Sequence, residues 1–273
     1  MSQDTIAFIG GGNMARSLIG GLVARGRDAA TIRVSEPVPE LREALRRDFG
    51  VEVVDANAGA VDGAGTWVLA VKPQVLRGVC EALAPLAQEA RPLVVSIAAG
   101  ITSSQIEAWL GGGIAVVRCM PNTPALLGAG VTGLYANPRV DGAGREAAQS
   151  LLSAAGETVW IGDEALMDAV TATSGSGPAY VFLLSEAMQA AAQREGLPAD
   201  AARTLVLQTI MGAARMLTEG DAEADELRRR VTSPGGTTQA AIETFEAGGF
   251  RELVEAAIRA ATVRGRELSA AND

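Results

Sequence analysis

The chain has 273 residues, 48% of them hydrophobic and only 4% aromatic, with 32 acidic and 23 basic side chains and no histidine. Without histidine no Ser-His-Asp or Cys-His nucleophile system can be built, and no His-ligated metal site, so no metal is expected. A formal charge of −9 opposes nucleic acid, whose binding needs a basic footprint.

The length allows one large or two modest domains. All but one of the basic residues are Arg; the exception is Lys72. Cys80 and Cys119 form neither a CxxC pair nor a disulfide framework, and read as two small core residues in a reducing compartment. No apolar run reaches the roughly 18–20 residues of a membrane helix. The opening Met1-Ser2-Gln3-Asp4 lacks the basic start of a signal peptide. A cytoplasmic protein is the expectation, with no membrane and no nucleic-acid partner.

In chain order, short apolar runs at 6–9, 32–35, 51–54, 67–71, 93–97 and 115–118 predict strands buried on both faces of a parallel sheet. Between them, 14–25, 39–48, 74–87 and 103–110 are long enough for crossover helices. Two further strands, 131–135 and 158–161, flank a helix over 143–154. This alternation predicts an α/β, doubly wound, Rossmann-like domain with a mostly parallel sheet over 1–163. After Asp163 the strand signal stops. Helices are expected over 178–195, 199–219, 223–230, 237–246 and 251–269, punctuated by Gly196-Leu197-Pro198, Gly220, Ser233-Pro234-Gly235-Gly236 and Gly248-Gly249. Residues 164–273 thus read as an all-helical domain. Its Ala- and Met-rich stretches fit either an intrachain core or packing against another subunit.

The first chemical signal is Ile9-Gly10-Gly11-Gly12-Asn13-Met14-Ala15, where a buried strand runs through a glycine turn into a helix. Gly10 permits the tight turn, Gly12 lets backbone approach a pyrophosphate, and Ala15 allows close helix–strand packing. Free amides at the helix start, Asn13 and Met14 among them, favour an anion. The second strand ends Ser35-Glu36-Pro37. An acid there bonds the adenosine ribose hydroxyls and disfavours a 2′-phosphate. Arg42, Arg46 and Arg47 follow, as a solvated helix face or as phosphate ligands. The fourth strand ends Ala70-Val71-Lys72-Pro73, at the crevice where such folds bind ligands. Lys72 is a compact cation suited to ribose, carboxamide or phosphate, and Pro73 fixes a sharp exit. Arg118-Cys119-Met120-Pro121-Asn122-Thr123-Pro124 makes a rigid loop with Asn122 beside the nicotinamide end, or a plain structural turn.

Two hydroxyl- and glycine-rich strings open helices in the second half. Thr173-Ser174-Gly175-Ser176-Gly177-Pro178-Ala179-Tyr180 and Val231-Thr232-Ser233-Pro234-Gly235-Gly236-Thr237-Thr238 each offer amides and hydroxyls to an anion. Either alone could be capping; the pair implies a pocket for a small carboxylate.

In this order and spacing, IGGGNMA, AVKP, RCMPNTP, SGSGPAY and VTSPGGTT resemble the Δ1-pyrroline-5-carboxylate reductase family over nearly the whole chain. The resemblance implies NADPH- or NADH-dependent reduction of the cyclic imine to L-proline, the last step of proline biosynthesis. It implies a homodimer of interlocked helical domains, often assembled into a decamer. It implies that the loop matching Val231, Thr232, Ser233, Gly235, Gly236, Thr237 and Thr238 holds the substrate carboxylate with help from Ser176, that Thr238 lies near the ring nitrogen, and that Asn57 contacts the cofactor. The family more often uses NADPH and ends its second strand in Ser, Asn or Arg; Glu36 departs from that pattern.

Imine reduction asks the protein for orientation and electrostatics. Threonine is a poor acid at neutral pH, so Thr238 is a positioning residue. A β-hydroxyacid dehydrogenase of the same layout typically needs a lysine on its helical domain, and this one has none. A non-catalytic dinucleotide sensor has no use for two hydroxyl-rich loops.

Overall fold

The first apolar runs become strands because both faces of each are covered. In the computed structural model, which describes residues 5–270, β1 (Ile6–Ile9), β2 (Ile32–Ser35), β3 (Glu52–Val54), β4 (Thr66–Leu69), β5 (Leu93–Ser96), β6 (Ala115–Met120), β7 (Gly130–Ala136) and β8 (Gly156–Trp160) form one eight-stranded sheet. Residues 1–4, on which the signal-peptide reading rests, lie outside the described part.

The order is β3-β2-β1-β4-β5-β6-β7-β8. The first six strands are parallel, β7 runs antiparallel to β6, and β8 is parallel to β7. The reversal at β7 follows from chain length: only nine residues separate β6 from β7, and a parallel return needs a crossover of a dozen or more. Strand order changes direction between β1 and β4, which places a ligand crevice at their carboxyl ends.

The sheet is the middle of three layers. On one face Phe8, Val34, Val68 and Val117 pack against α1 (Asn13–Ala24), α2 (Pro39–Phe49) and α6 (Gly142–Ser153) through Leu18, Leu45 and Leu152. On the other, Ala7, Ile9, Trp67 and Leu69 pack against α3 (Asn57–Val61), α4 (Pro73–Ala90) and α5 (Ser103–Trp109) through Val61, Leu76, Leu83 and Ile106. Alternate residues of one strand serve opposite cores, which is why these strands read as continuous apolar runs. Cys80 and Cys119 are free, buried members of the two cores. Burial pushes the Cys80 thiol up to about 12 and that of Cys119 higher still.

After β8 every regular element is helical: α7 (Met167–Val170), α8 (Gly177–Arg194), α9 (Ala199–Glu219), α10 (Ala224–Arg230), α11 (Thr237–Ala247) and α12 (Phe250–Ala270). Thr171–Gly175 forms a π turn between α7 and α8, a feature the sequence reading did not contain. The chain forms two compact units. One runs through Ser176 and regains the last turns of α12 from Ala261; the other spans Gly177–Ala260.

Candidate active site: a dinucleotide cradle and an uncapped helix

Gly10 has φ +101°, a conformation that L side chains rarely adopt, and a Cβ there would lie 2.7 Å from the Ala70 carbonyl oxygen and 3.2 Å from Val71 Cγ1. Its amide donates to the Ser35 carbonyl at 2.9 Å, and the Ala70 amide donates to the Ile9 carbonyl at 2.8 Å. The three strand ends β1, β2 and β4 are thereby drawn together around one glycine. A Cβ on Gly11 would meet Leu45 Cδ1 at 2.6 Å, whereas one on Gly12 would meet nothing within 4 Å. Gly12 is the N-cap of α1 and no side chain caps this helix. The amides of the first turn, at Asn13, Met14 and Ala15, therefore lack intrahelical partners beside open space, with the positive end of the helix behind them. A pyrophosphate fits this cradle on both chemistry and room.

Around the cradle, the polar groups are already committed. Glu36 is only 6% exposed; its Oε2 accepts the Gly11 amide and its Oε1 the Val38 amide, each at 3.0 Å. Ser35 is buried and its hydroxyl lies 2.6 Å from Asn57 Oδ1. That contact uses the oxygen of Asn57 and leaves its amide nitrogen as the end able to donate outward. Of the three arginines on α2, Arg42 donates to the carbonyls of Glu36 and Pro37 at 2.9 and 2.8 Å, Arg46 to the Val53 carbonyl, and Arg47 to Asp48 at 2.9 Å. Arg46 and Arg47 are exposed, as on a solvated helix face, and each of the three arginines is tethered through one nitrogen. Beyond β4, which ends at Leu69 rather than Val71, Ala70 and Val71 lie against Gly10, Lys72 is the exposed N-cap of α4, and Pro73 is its first residue.

Asn122 is buried; its Nδ2 donates to the Ser174 carbonyl at 3.1 Å and its Oδ1 accepts the Val131 amide at 3.0 Å. The side chain braces the loop after β6 to β7 and to the π turn. A Cβ on Gly175 would sit 2.5 Å from Met120 Cε, the far end of a flexible side chain. Within the turn, the hydroxyls of Thr171 and Ser174 bond back to carbonyls of α7, and the Ser176 amide donates to the Thr171 carbonyl at 2.8 Å. The amide that an anion nest would use is therefore spent, and the half-buried Ser176 keeps only its hydroxyl for a ligand.

Also absent from the sequence reading is a buried ionic cluster. Arg118, 4% exposed, lies 3.4 Å from Glu164 and 3.5 Å from Asp168. Glu164 also accepts the amide and hydroxyl of Ser103. The cluster fastens the segment leading to the π turn onto β6 and α5.

In the helical unit, α10 ends at Arg230 and Val231 closes it, half its surface exposed. The Thr232 hydroxyl bonds back to the Arg228 carbonyl at 2.6 Å. Gly235, at φ +70°, donates its amide to Gln239 Oε1 at 2.7 Å, and the Gly236 amide donates to the Ser233 carbonyl at 3.0 Å. Gly236 is the N-cap of α11 and no side chain caps it. The first amides of α11, at Thr237, Thr238 and Gln239, lack intrahelical partners, with both threonine hydroxyls beside them. A helix start of this kind suits an anion.

A doubly wound sheet with a glycine cradle at the switch between β1 and β4, followed in the chain by a helical unit with a second uncapped helix start, defines a dinucleotide-dependent oxidoreductase. Residues 164–268 match the family model "Pyrroline-5-carboxylate reductase dimerisation", and residues 5–100 match "NADP oxidoreductase coenzyme F420-dependent". The pyrroline-5-carboxylate reductase of Pseudomonas aeruginosa is 56% identical, over 98% of both chains. The solved pyrroline-5-carboxylate reductase of Coxiella burnetii superposes with a TM-score of 0.94 at 44% identity, covering 97% of this chain and 98% of that one. The Plasmodium falciparum enzyme, solved with NADP bound, gives 0.85 at 27% identity over 98% of this chain and 99% of its own. The chain belongs to the pyrroline-5-carboxylate reductase family.

Proposed function

We propose that this protein reduces Δ1-pyrroline-5-carboxylate to L-proline, the last step of proline biosynthesis, in the cytoplasm. The observation that carries this reading is the full-length likeness to a pyrroline-5-carboxylate reductase, 56% over 98% of both chains, joined to a dinucleotide cradle built from this chain's own residues.

NADPH or NADH, when bound, supplies a hydride to the imine carbon. The first turn of α1 would hold the pyrophosphate, and the Asn57 amide and Lys72 ammonium would donate to ribose or carboxamide. The uncapped start of α11 holds the substrate carboxylate on backbone amides. Thr238 donates or accepts one hydrogen bond at the ring nitrogen and so fixes the face of the ring that is reduced. The iminium proton is carried in by the substrate or by water; a chain without histidine has no imidazole to deliver it.

The helical unit forms the homodimer, and dimers of this kind are the units from which the decamer implied by the sequence resemblance is built. The support is the exposed apolar turn of α8, from Tyr180 to Leu184, in a region matching a dimerisation model.

Purified protein should oxidise NAD(P)H only in the presence of pyrroline-5-carboxylate and yield proline in equal amount. Folded protein that turns over with neither cofactor would end this reading.

A further inference from the structure

The dinucleotide cradle contains a negative charge where the family description names NADP. We propose that Glu36 closes the adenosine-ribose site of this protein to a 2′-phosphate, so that NADH, with its free 2′-hydroxyl, is the reductant. The inference rests on the dinucleotide-binding reading of the cradle.

Position is the first argument. Glu36 directly follows β2, and in doubly wound folds the group at that point meets the adenosine ribose hydroxyls. The second is that this acid cannot turn aside. Both carboxylate oxygens are held by backbone amides, those of Gly11 and Val38. Its own amide donates to the Val54 carbonyl at 3.0 Å, its carbonyl accepts from Arg42, and Pro37 restricts its backbone to extended conformations. Rotating the side chain away would strip the buried Gly11 amide of its acceptor. The contact with Gly11 also makes the ribose site and the pyrophosphate loop one rigid piece.

The third argument concerns compensation. A 2′-phosphate beside a carboxylate needs a cation, and the nearby arginines are each tethered elsewhere through at least one nitrogen. Arg42 bonds two carbonyls through Nη1, Arg46 the Val53 carbonyl through Nη2, and Arg47 Asp48 through Nε, so moving any of them to a phosphate breaks an existing bond. Arg16, on α1, is paired with the other oxygen of Asp48. The Ser35 hydroxyl faces Asn57. Lys72 follows β4, which flanks β1 on the side away from β2. A free 2′-hydroxyl needs none of these, because it donates to a carboxylate oxygen, which has lone pairs left after accepting one amide.

The test is calorimetric titration of the full-length protein with NADH and with NADPH, without substrate. Juxtaposed like charges cost enough to separate the two on the order of 10- to 100-fold in Kd, in favour of NADH. Glu36→Gln removes the charge while keeping an amide-accepting oxygen, and should bring the two Kd values within about three-fold by tightening NADPH. Wild-type protein that binds NADPH as tightly as NADH, or tighter, overturns the role of Glu36 whatever the variant does. A Glu36→Gln ratio equal to the wild-type ratio overturns it too. Binding of neither dinucleotide overturns instead the reading of the cradle itself.

Discussion

The two compact units differ in what they bury. The first holds two closed cores with Phe8, Trp67, Leu69 and Ile106 at 0% exposure; among residues 177–260 only Ser185, Ala202 and Val206 are buried. Ordering a chain costs about 1–2 kcal/mol per residue, and burying a large apolar side chain returns about 1.5–3 kcal/mol. A sheet with helices on both sides meets that requirement within one chain. Paired helices such as α8 and α9, with Phe182, Leu183, Leu205 and Met211 between 51% and 67% exposed, do not. The difference is what the proposed homodimer accounts for: the second unit lacks a closed core of its own, and the region matches a dimerisation model.

The comparison is broken most forcefully at α8. Tyr180, Val181, Phe182, Leu183 and Leu184 are consecutive and all exposed, so they surround the helix, and a helix apolar all round is buried in its assembly. Obligate homodimer interfaces cover roughly 2,000–5,000 Å². Phe182→Glu combined with Leu183→Glu should convert the protein to monomer or aggregate in light scattering and abolish turnover. A dimer with wild-type melting would mean that this surface faces solvent.

Next in size are the glycines of the first unit, which separate fold from ligand. Gly10→Ala places a Cβ at a forbidden φ and 2.7 Å from a carbonyl; it should cost about 2–4 kcal/mol of stability as well as dinucleotide affinity. Gly12→Ala meets only open space, so its Tm should stay near wild type while dinucleotide Kd rises about ten-fold or more, because the methyl intrudes where the pyrophosphate approaches. Equal behaviour of the two variants in Tm would refute the distinction.

Thr238→Ala probes the second unit's chemistry rather than its packing. One hydrogen bond to a charged group is worth about 1.5–3 kcal/mol, so kcat/KM should fall roughly 10- to 150-fold with cofactor Kd unchanged. Wild-type efficiency would remove Thr238 from the mechanism.

What the sequence disclosed follows the same division between local and distant causes. Strand, turn and helix around Gly10 are consecutive, so residue pattern alone defines them. The two uncapped helix starts are equally local. Glu36 was visible by position, but its direction is set by the Gly11 amide, 25 residues earlier. Arg118 stood in a recognisable string, yet its partners Glu164 and Asp168 lie 46 and 50 residues onward, and no spacing rule links them. The antiparallel turn into β7 was readable in principle, since the nine intervening residues are too few for a crossover. The π turn had no sequence signal beyond its glycines and hydroxyls.

Asn122 gives the smallest expected effect and separates two roles for one residue. As a cofactor ligand, it would lose dinucleotide affinity on truncation with little change in folding. As the brace seen here, its Nδ2 and Oδ1 join three segments of the first unit, at Ser174 and Val131. Asn122→Ala leaves the Val131 amide and the Ser174 carbonyl without these partners, at a cost of about 1–3 kcal/mol, which lowers Tm by roughly 2–12 °C in a domain of this size. Because the π turn leads directly into Ser176, KM for the imine should rise several-fold. The cradle at Gly10, Gly11 and Gly12 has no bond to Asn122, so dinucleotide Kd should stay within about two-fold of wild type. Asn122→Asp sharpens the test: it keeps an acceptor for the Val131 amide but sets a carboxylate against the Ser174 carbonyl, so it should disturb the turn without freeing β7. Loss of dinucleotide binding at unchanged Tm in either variant would return Asn122 to the cofactor site.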